Sequence, residues 1–171
     1  MTETKEIIDL TRPSWQETFM TMAETVARRS TCSKMKTGAL LVRDNRVISM
    51  GYNGTIPGAK HCCDYWTSVY TNGYASRMSS KEFLENVFPQ AHHDWATVNE
   101  IHGEQNAILY AAKQGISTEN TEMYSLYSPC INCAKVIITA GIKKVYYRHN
   151  YRRDTRGRDF LRAKGIPCEP L

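Results

Sequence analysis

His102, Glu104, Cys130 and Cys133, with Pro129 ahead of the cysteines, have the types and spacing to do chemistry. Ser128-Pro-Cys-Ile-Asn-Cys133 places C-x-x-C at a helix start. Positions three apart share a helix face, so both sulfurs can reach one ion. The dipole and free N–H groups of a helix start favour thiolates, the form that zinc binds. A redox reading of C-x-x-C needs a thioredoxin-like strand pattern around it, and the hairpin that begins this chain does not supply one. A closed structural zinc site would add two further Cys or His ligands. A catalytic site would add one and keep a position for water. His102 offers that ligand from the first turn of another helix, and Glu104 can then bond the water. Residues two apart do not face each other along a helix. The His102–Glu104 spacing therefore fits an ion off the helix end, where first-turn side chains converge.

The elements that must position these groups follow from patterning. Ser14-Trp-Gln-Glu17 is a capping box, and Trp15, Phe19, Met22 and Val26 follow as an apolar core stripe, giving a helix over about 14–29. Gly38–Val42 and Arg46–Met50 read as strands joined by a tight Asp44-Asn45 turn. Gly51-Tyr-Asn-Gly54 ends the second strand. Residues 55–96 show no sustained period beyond a short helix near Lys81–Val87. An insertion of that length is functional or held by something other than a core, and it contains His61, Cys62, Cys63, His92 and His93. A helix follows over about 97–114, then a strand at Met123–Tyr127. Pro129 and Cys130 open a helix ending at Gly141. A strand at Lys143–Arg148, a helix at Asp154–Lys164 and a short terminal strand complete the chain. An initial hairpin followed by alternating strands and helices predicts an α/β class, a three-layer α/β/α sandwich on a mixed central sheet.

The 171 residues suit one domain, 1–171, with the insertion at about 55–96. Hydrophobic residues make up 42% and charged residues 23%, the balance of a globular protein. No apolar run is long enough to cross a membrane. The polar start Met1–Glu6 has no signal-peptide core, so a cytoplasmic location is expected. In that compartment a disulfide framework of the six cysteines is not expected, and metal binding is the better default for those that cluster with histidines. The net charge is +5, with much of the excess in Arg148–Arg162. That suits an anionic partner, a nucleotide or a polynucleotide, though charge alone favours a solvated helix face.

Together, His102-Gly-Glu104 and Pro129-Cys-Ile-Asn-Cys133 resemble the zinc-dependent cytidine deaminase superfamily. Thr31-Cys-Ser-Lys-Met-Lys-Thr-Gly-Ala39, Gly51-Tyr-Asn-Gly54, Cys62-Cys-Asp-Tyr65 and Glu100-Ile-His-Gly-Glu-Gln-Asn-Ala-Ile108 narrow the likeness to the deoxycytidylate (dCMP) deaminases, from about residue 14 to 168. The resemblance implies hydrolysis of the C–N bond of a cyclic amidine: dCMP to dUMP, the dTMP precursor, and ammonia. It makes His102, Cys130 and Cys133 the catalytic zinc ligands. Glu104 becomes the proton carrier between water, ring N3 and the leaving amine, while the water oxygen attacks C4. The backbone N–H of Gly103, where alanine is usual, would hold the pyrimidine O2. Backbone at Ser128 would accept from the amino group, Asn53 would contact the sugar, and Tyr151 would lie near the base or serve as a core or lid tyrosine. Leu126 replaces a common threonine, with no consequence drawn.

The resemblance further implies a second, structural zinc in the insertion, held by Cys32, Cys62, His93 and Glu100, with Cys63, His61 and His92 as close alternatives. It implies a homo-hexamer activated by dCTP with Mg²⁺ and inhibited by dTTP. That effector would be received at Gly51, Tyr52, Asn53 and Gly54. Lys34, Lys36 and Arg152 are candidates for the substrate phosphate. Two rivals stand beside this reading. One is a deaminase of the same fold acting on tRNA or single-stranded DNA, against which the Cys62–Tyr65 and Gly51–Gly54 segments favour a mononucleotide and no polynucleotide. The other is a non-catalytic zinc or nucleotide-binding module, which would not need Glu104.

Overall fold

The structure, a computed structural model, describes residues 12–171, so the polar Met1–Glu6 start lies outside the described residues. The elements in chain order are α1 (Trp15–Ala27), β1 (Gly38–Arg43), β2 (Arg46–Tyr52), β3 (Gly54–Thr55), α2 (Cys62–Gly73), α3 (Ser80–Asn86) and α4 (Phe88–Asn99). Then come β4 (Glu100–Ile101), α5 (Gly103–Lys113), β5 (Glu122–Tyr127), α6 (Ile131–Thr139), β6 (Lys144–His149), α7 (Arg156–Ala163) and β7 (Cys168–Pro170). Among the described residues no helix is long and apolar enough to cross a membrane.

The central sheet has the order β2-β1-β5-β6-β7. β1 pairs antiparallel with β2 and β5, while β6 runs parallel to both β5 and β7. This is the mixed sheet expected. Asp44 and Asn45 both take positive φ, 52° and 55°, the geometry whose twist matches a two-residue hairpin. Strand alternation divides the core into two faces. Leu40, Val42, Tyr124 and Tyr146 meet Phe19, Met20 and Ala23 of α1. Ala39, Leu41, Met123, Val145 and Tyr147 meet residues of α5, α6 and α7. The result is three layers, with α1 on one face of the sheet and α5, α6 and α7 on the other.

At α1 the capping box forms by halves. The Ser14 hydroxyl accepts from the Glu17 N–H at 3.1 Å, but the Glu17 carboxylate turns to Arg148 on β6 at 2.6 Å. A long-range ion pair competes here with the local cap.

Two expectations need correction. The insertion is not a period-free loop clipped by metal alone. It folds as α2, α3 and α4 around its own aromatic cluster of Trp66, Phe83 and Phe88, flanked by Tyr65, Tyr70, Tyr74 and Trp95. Its helices run only 7–12 residues, too short for periodicity to stand out. The full capping box at Ser79 and Glu82 was the available signal. Second, no single helix covers 97–114. α4 stops at Asn99, and Glu100–Ile101 pairs with Gly54–Thr55 as a two-residue ladder. α5 begins only at Gly103, with His102 extended at φ −71°, ψ 155° as its N-cap. The Gln105 side chain accepts from the His102 N–H at 3.2 Å and completes the break.

Candidate active site and second metal cluster

The parallel strands β5 and β6 end at Tyr127 and His149. Ligands bind beyond the carboxyl ends of such strands, and here α5 and α6 deliver their first turns to that edge. α5 can do so because it lies directly on β2. A Cβ added to Gly51 would sit 2.3 Å from the Ala107 nitrogen and 2.4 Å from the Gly103 oxygen. The glycine at 51 therefore permits close approach of α5 and leaves no room for a nucleotide against that face.

His102 caps α5 and Cys130 caps α6, each in extended conformation. His102 Nδ1 lies 3.3 Å from Cys133 Sγ and 3.6 Å from Cys130 Sγ. A tetrahedral zinc, with Zn–S about 2.3 Å and Zn–N about 2.0 Å, holds sulfur and nitrogen about 3.5 Å apart. The donor set and its spacing thus fit the ion. The Cys133 and His102 hydrogen bonds draw the Cys130 thiol down to about 4 against the effect of burial. Glu104 is buried beside them, its carboxyl raised by burial and lowered in part by His102. Three protein donors, rather than four, are the number that a catalytic zinc site supplies.

A second cluster joins Cys32, Cys62, His92 and Glu100, with one donor atom from each within 4.8 Å of the others. His92 Nε2 is 3.5 Å from Cys32 Sγ and 3.3 Å from Cys62 Sγ, again the separation a zinc imposes. One Glu100 oxygen is buried without a hydrogen-bond partner. Burial and the nearby Cys32 sulfur push that carboxyl up to about 7. Buried sulfur, imidazole and carboxylate donors converging on one point are the arrangement a dication relieves. His93, expected as the ligand, is instead exposed. Adjacent helical residues point about 100° apart, and α4 turns His92 inward toward Phe88 and Trp66. Cys63 is exposed and pairs with neither cluster.

Both clusters open on one cleft of about 850 Å³, which also bears Asn53, Ser128, Tyr151, Lys34, Arg153 and Arg156. Lys36 and Arg152 are not among its lining residues. The late basic run is largely answered locally. Arg148 pairs with Glu17 and Glu24, Arg156 with Asp154, and Arg158 with Asp159. Arg153 has no ion pair among the described residues. Lys34 donates to the Pro89 carbonyl at 2.7 Å, and its ammonium is held below the usual range by burial and by Arg153. Sequence reasoning missed Arg153, because neighbouring arginines in a loop cannot be ranked without their directions.

Several expected contacts have partners within the chain. Asn53 accepts from the Thr37 N–H at 2.9 Å and donates to the Met35 carbonyl at 2.8 Å, which braces the loop carrying Lys34. Ser128 donates its N–H to His149 and its hydroxyl accepts from the Tyr151 N–H, both at 2.8 Å. Tyr151 is partly buried against the main core. Tyr52 is partly exposed, and its carbonyl accepts from Asn106 at 2.9 Å.

Residues 13–149 match the family model described as the cytidine and deoxycytidylate deaminase zinc-binding region. The deoxycytidylate deaminase of Enterobacteria phage T4 is 36% identical over 168 residues, covering 87% of this chain and 86% of that protein. ComE operon protein 2 of Bacillus subtilis (strain 168) is 35% identical over 160 residues, covering 94% and 72%. Among solved structures, the dCMP deaminase from cyanophage S-TIM5 in complex with dCMP and dUMP aligns with a TM-score of 0.70 at 31% identity, over 94% of this chain and 99% of that one. A matching zinc-binding region, a shared fold and a His102–Cys130–Cys133 cluster beside buried Glu104 agree with one another, and this chain is a deaminase belonging to the cytidine and deoxycytidylate deaminase family.

Proposed function

We propose that this chain hydrolyses dCMP to dUMP and ammonia. The observation that carries the reading is the convergence of His102, Cys130 and Cys133 beside buried Glu104, on a cleft that also holds Lys34 and Arg153, which have no carboxylate partner among the described residues. The His102 nitrogen and the two sulfurs would hold a zinc, which when bound would supply a water acidic enough to ionise near neutral pH. Glu104 takes the proton of that water as its oxygen adds to C4, and passes it to ring N3. Glu104 then takes the proton of the new C4 hydroxyl and delivers it to the amine, which leaves as ammonia as the C4 carbonyl forms. The first intrahelical bond of α5 runs from the Asn106 N–H to the His102 carbonyl. Gly103 therefore has no intrahelical acceptor for its N–H, which in this reading holds the pyrimidine O2. The Ser128 carbonyl accepts from the substrate amine. Tyr151 borders the base, and Asn53 holds the loop that faces the sugar.

Arg153 and Lys34 hold the phosphate in this reading. Arg153→Ala is expected to raise KM for dCMP roughly 10- to 100-fold, the worth of one charge-assisted contact. It should leave the slow turnover of deoxycytidine unchanged. An equal loss on both substrates would remove Arg153 from the phosphate site. A screen of dCMP, deoxycytidine and a cytosine-containing oligonucleotide tests the function itself. Turnover of the oligonucleotide but not of dCMP would favour the polynucleotide rival.

The second cluster holds a structural zinc through Cys32, Cys62, His92 and Glu100, supported by its donor spacing and the unpartnered Glu100 oxygen. For regulation, the support is the family resemblance together with the exposed apolar side chains Met50 and Tyr52 on β2 and Leu109 and Tyr110 on α5. These form two separate patches for contact with further copies in a hexamer, Met50 and Tyr52 on the α1 side of the sheet and Leu109 and Tyr110 on α5. dCTP with Mg²⁺, or dTTP, binds beside the β2 patch at Tyr52–Gly54.

A further inference from the structure

Cys130 occupies the N-cap of α6 but makes no side-chain cap bond. Its sulfur faces His102 and Cys133 instead. A helix whose N-cap side chain is committed elsewhere needs another acceptor for its first N–H groups. The structure supplies one from 23 residues further on: Asp154 Oδ2 accepts from the Ile131 N–H at 3.0 Å.

That carboxylate is itself fixed. Asp154 Oδ1 accepts from the Arg156 N–H at 3.2 Å and from its Nε at 2.8 Å, and Oδ2 accepts from the Arg156 guanidinium at 3.3 Å. The Asp154 side chain is 13% exposed, whereas that of Arg156 is 76% exposed. The inner group therefore meets the helix and the outer one faces solvent. The cation also offsets the cost of placing a carboxylate near two thiols that must ionise.

The same segment presses on Cys130 from behind. A Cβ on Gly157 would lie 2.2 Å from the Pro129 oxygen and 2.4 Å from the Cys130 carbonyl carbon. Only a glycine lets α7 approach this closely, so the Pro129–Cys130 peptide is held by α7 while Asp154 caps the residue after it.

We propose that Asp154 is a positioning residue for the catalytic metal site: by capping α6 in place of Cys130, it sets where the two cysteine sulfurs stand. This rests on the assignment of His102, Cys130 and Cys133 to zinc. Metal-ligand supports of this kind alter metal affinity about 10- to 100-fold when removed.

The test compares holoenzyme of the wild type, Asp154→Ala and Asp154→Asn. It follows zinc release to a chelator, dCMP kinetics and thermal melting. Asp154→Ala is expected to lose at least about tenfold faster the zinc whose departure tracks activity, and to lower kcat with KM within about twofold. Asparagine keeps an acceptor oxygen for the Ile131 N–H, so Asp154→Asn is expected to restore most of the zinc retention and kcat. Wild-type retention in Asp154→Ala overturns the proposal. So does an Asp154→Asn as impaired as the alanine variant, since the acceptor would then not be the function. Equal loosening of both zincs with a lowered melting temperature also overturns it, because it marks a general folding role. A wild-type enzyme without zinc at this cluster overturns the underlying assignment instead.

Discussion

Glu104→Gln is expected to lower kcat about 10³-fold or more while the protein keeps its fold and its zinc. Glutamine preserves the shape of a buried side chain but cannot carry a proton between water, ring nitrogen and amine. General acid–base catalysis by one group is worth about 10²- to 10⁴-fold, and here a single carboxylate serves both as acid and as base. A 10³-fold loss corresponds to about 4 kcal/mol of barrier. The substitution leaves Nδ1 of His102 and the two sulfurs in place, so metal content by elemental analysis should equal that of wild type. Binding of dCMP should also survive, since the groups assigned to its phosphate and ring are untouched. Wild-type turnover in Glu104→Gln would eliminate the carboxylate as proton carrier. Loss of zinc alongside activity would place Glu104 among the ligands.

The second large effect separates two adjacent histidines. His92→Ala is expected to reduce zinc from two per chain to one and to destabilise the protein, whereas His93→Ala should keep both ions. His92 is buried against both sulfurs of its cluster, and the cluster ties the loop before β1 to α2 and α4. Losing a metal that closes such long loops belongs to the severe class of substitutions. A cost of at least about 3 kcal/mol would lower Tm by roughly 10 °C in a chain of this size. The aromatic cluster around Trp66 gives the insertion a core of its own, so local loosening rather than complete unfolding is the expected outcome, visible as faster proteolysis within 60–100. The reverse pattern, with zinc lost from His93→Ala and retained in His92→Ala, would exclude the four-ligand cluster described above.

The same pair shows where sequence reading stops. His92 and His93 have the same chemistry and adjoin each other, and choosing between them depends on the phase of α4. That phase is set by Phe88, Trp66 and Trp95 packing in a cluster assembled from three short helices. No period within a 12-residue helix announces it. Arg153 and Arg152 pose the same problem in a loop, where direction is set by what the loop packs on. Asp154 was legible only as a residue near a helix start. Its bond to Ile131 crosses 23 residues and exists only because α7 docks on α6.

The amino-acid sequence alone determined which residues to consider and their local frame. His102, Cys130 and Cys133 could be picked out as one group, with Glu104 beside them, because metal-ligating types at helix starts obey short-range rules of spacing and dipole. The mixed sheet followed from alternation, and the hairpin from two residues that tolerate positive φ. Tertiary structure decided which of several equivalent side chains face one another. It broke the helix at Glu100–Ile101 by pairing those residues with Gly54–Thr55, and it selected His92, Arg153 and Asp154 through packing between segments distant in sequence. Short-range physics is written into a window of a few residues. The direction of a side chain across a cleft is the sum of contacts made by every element around it.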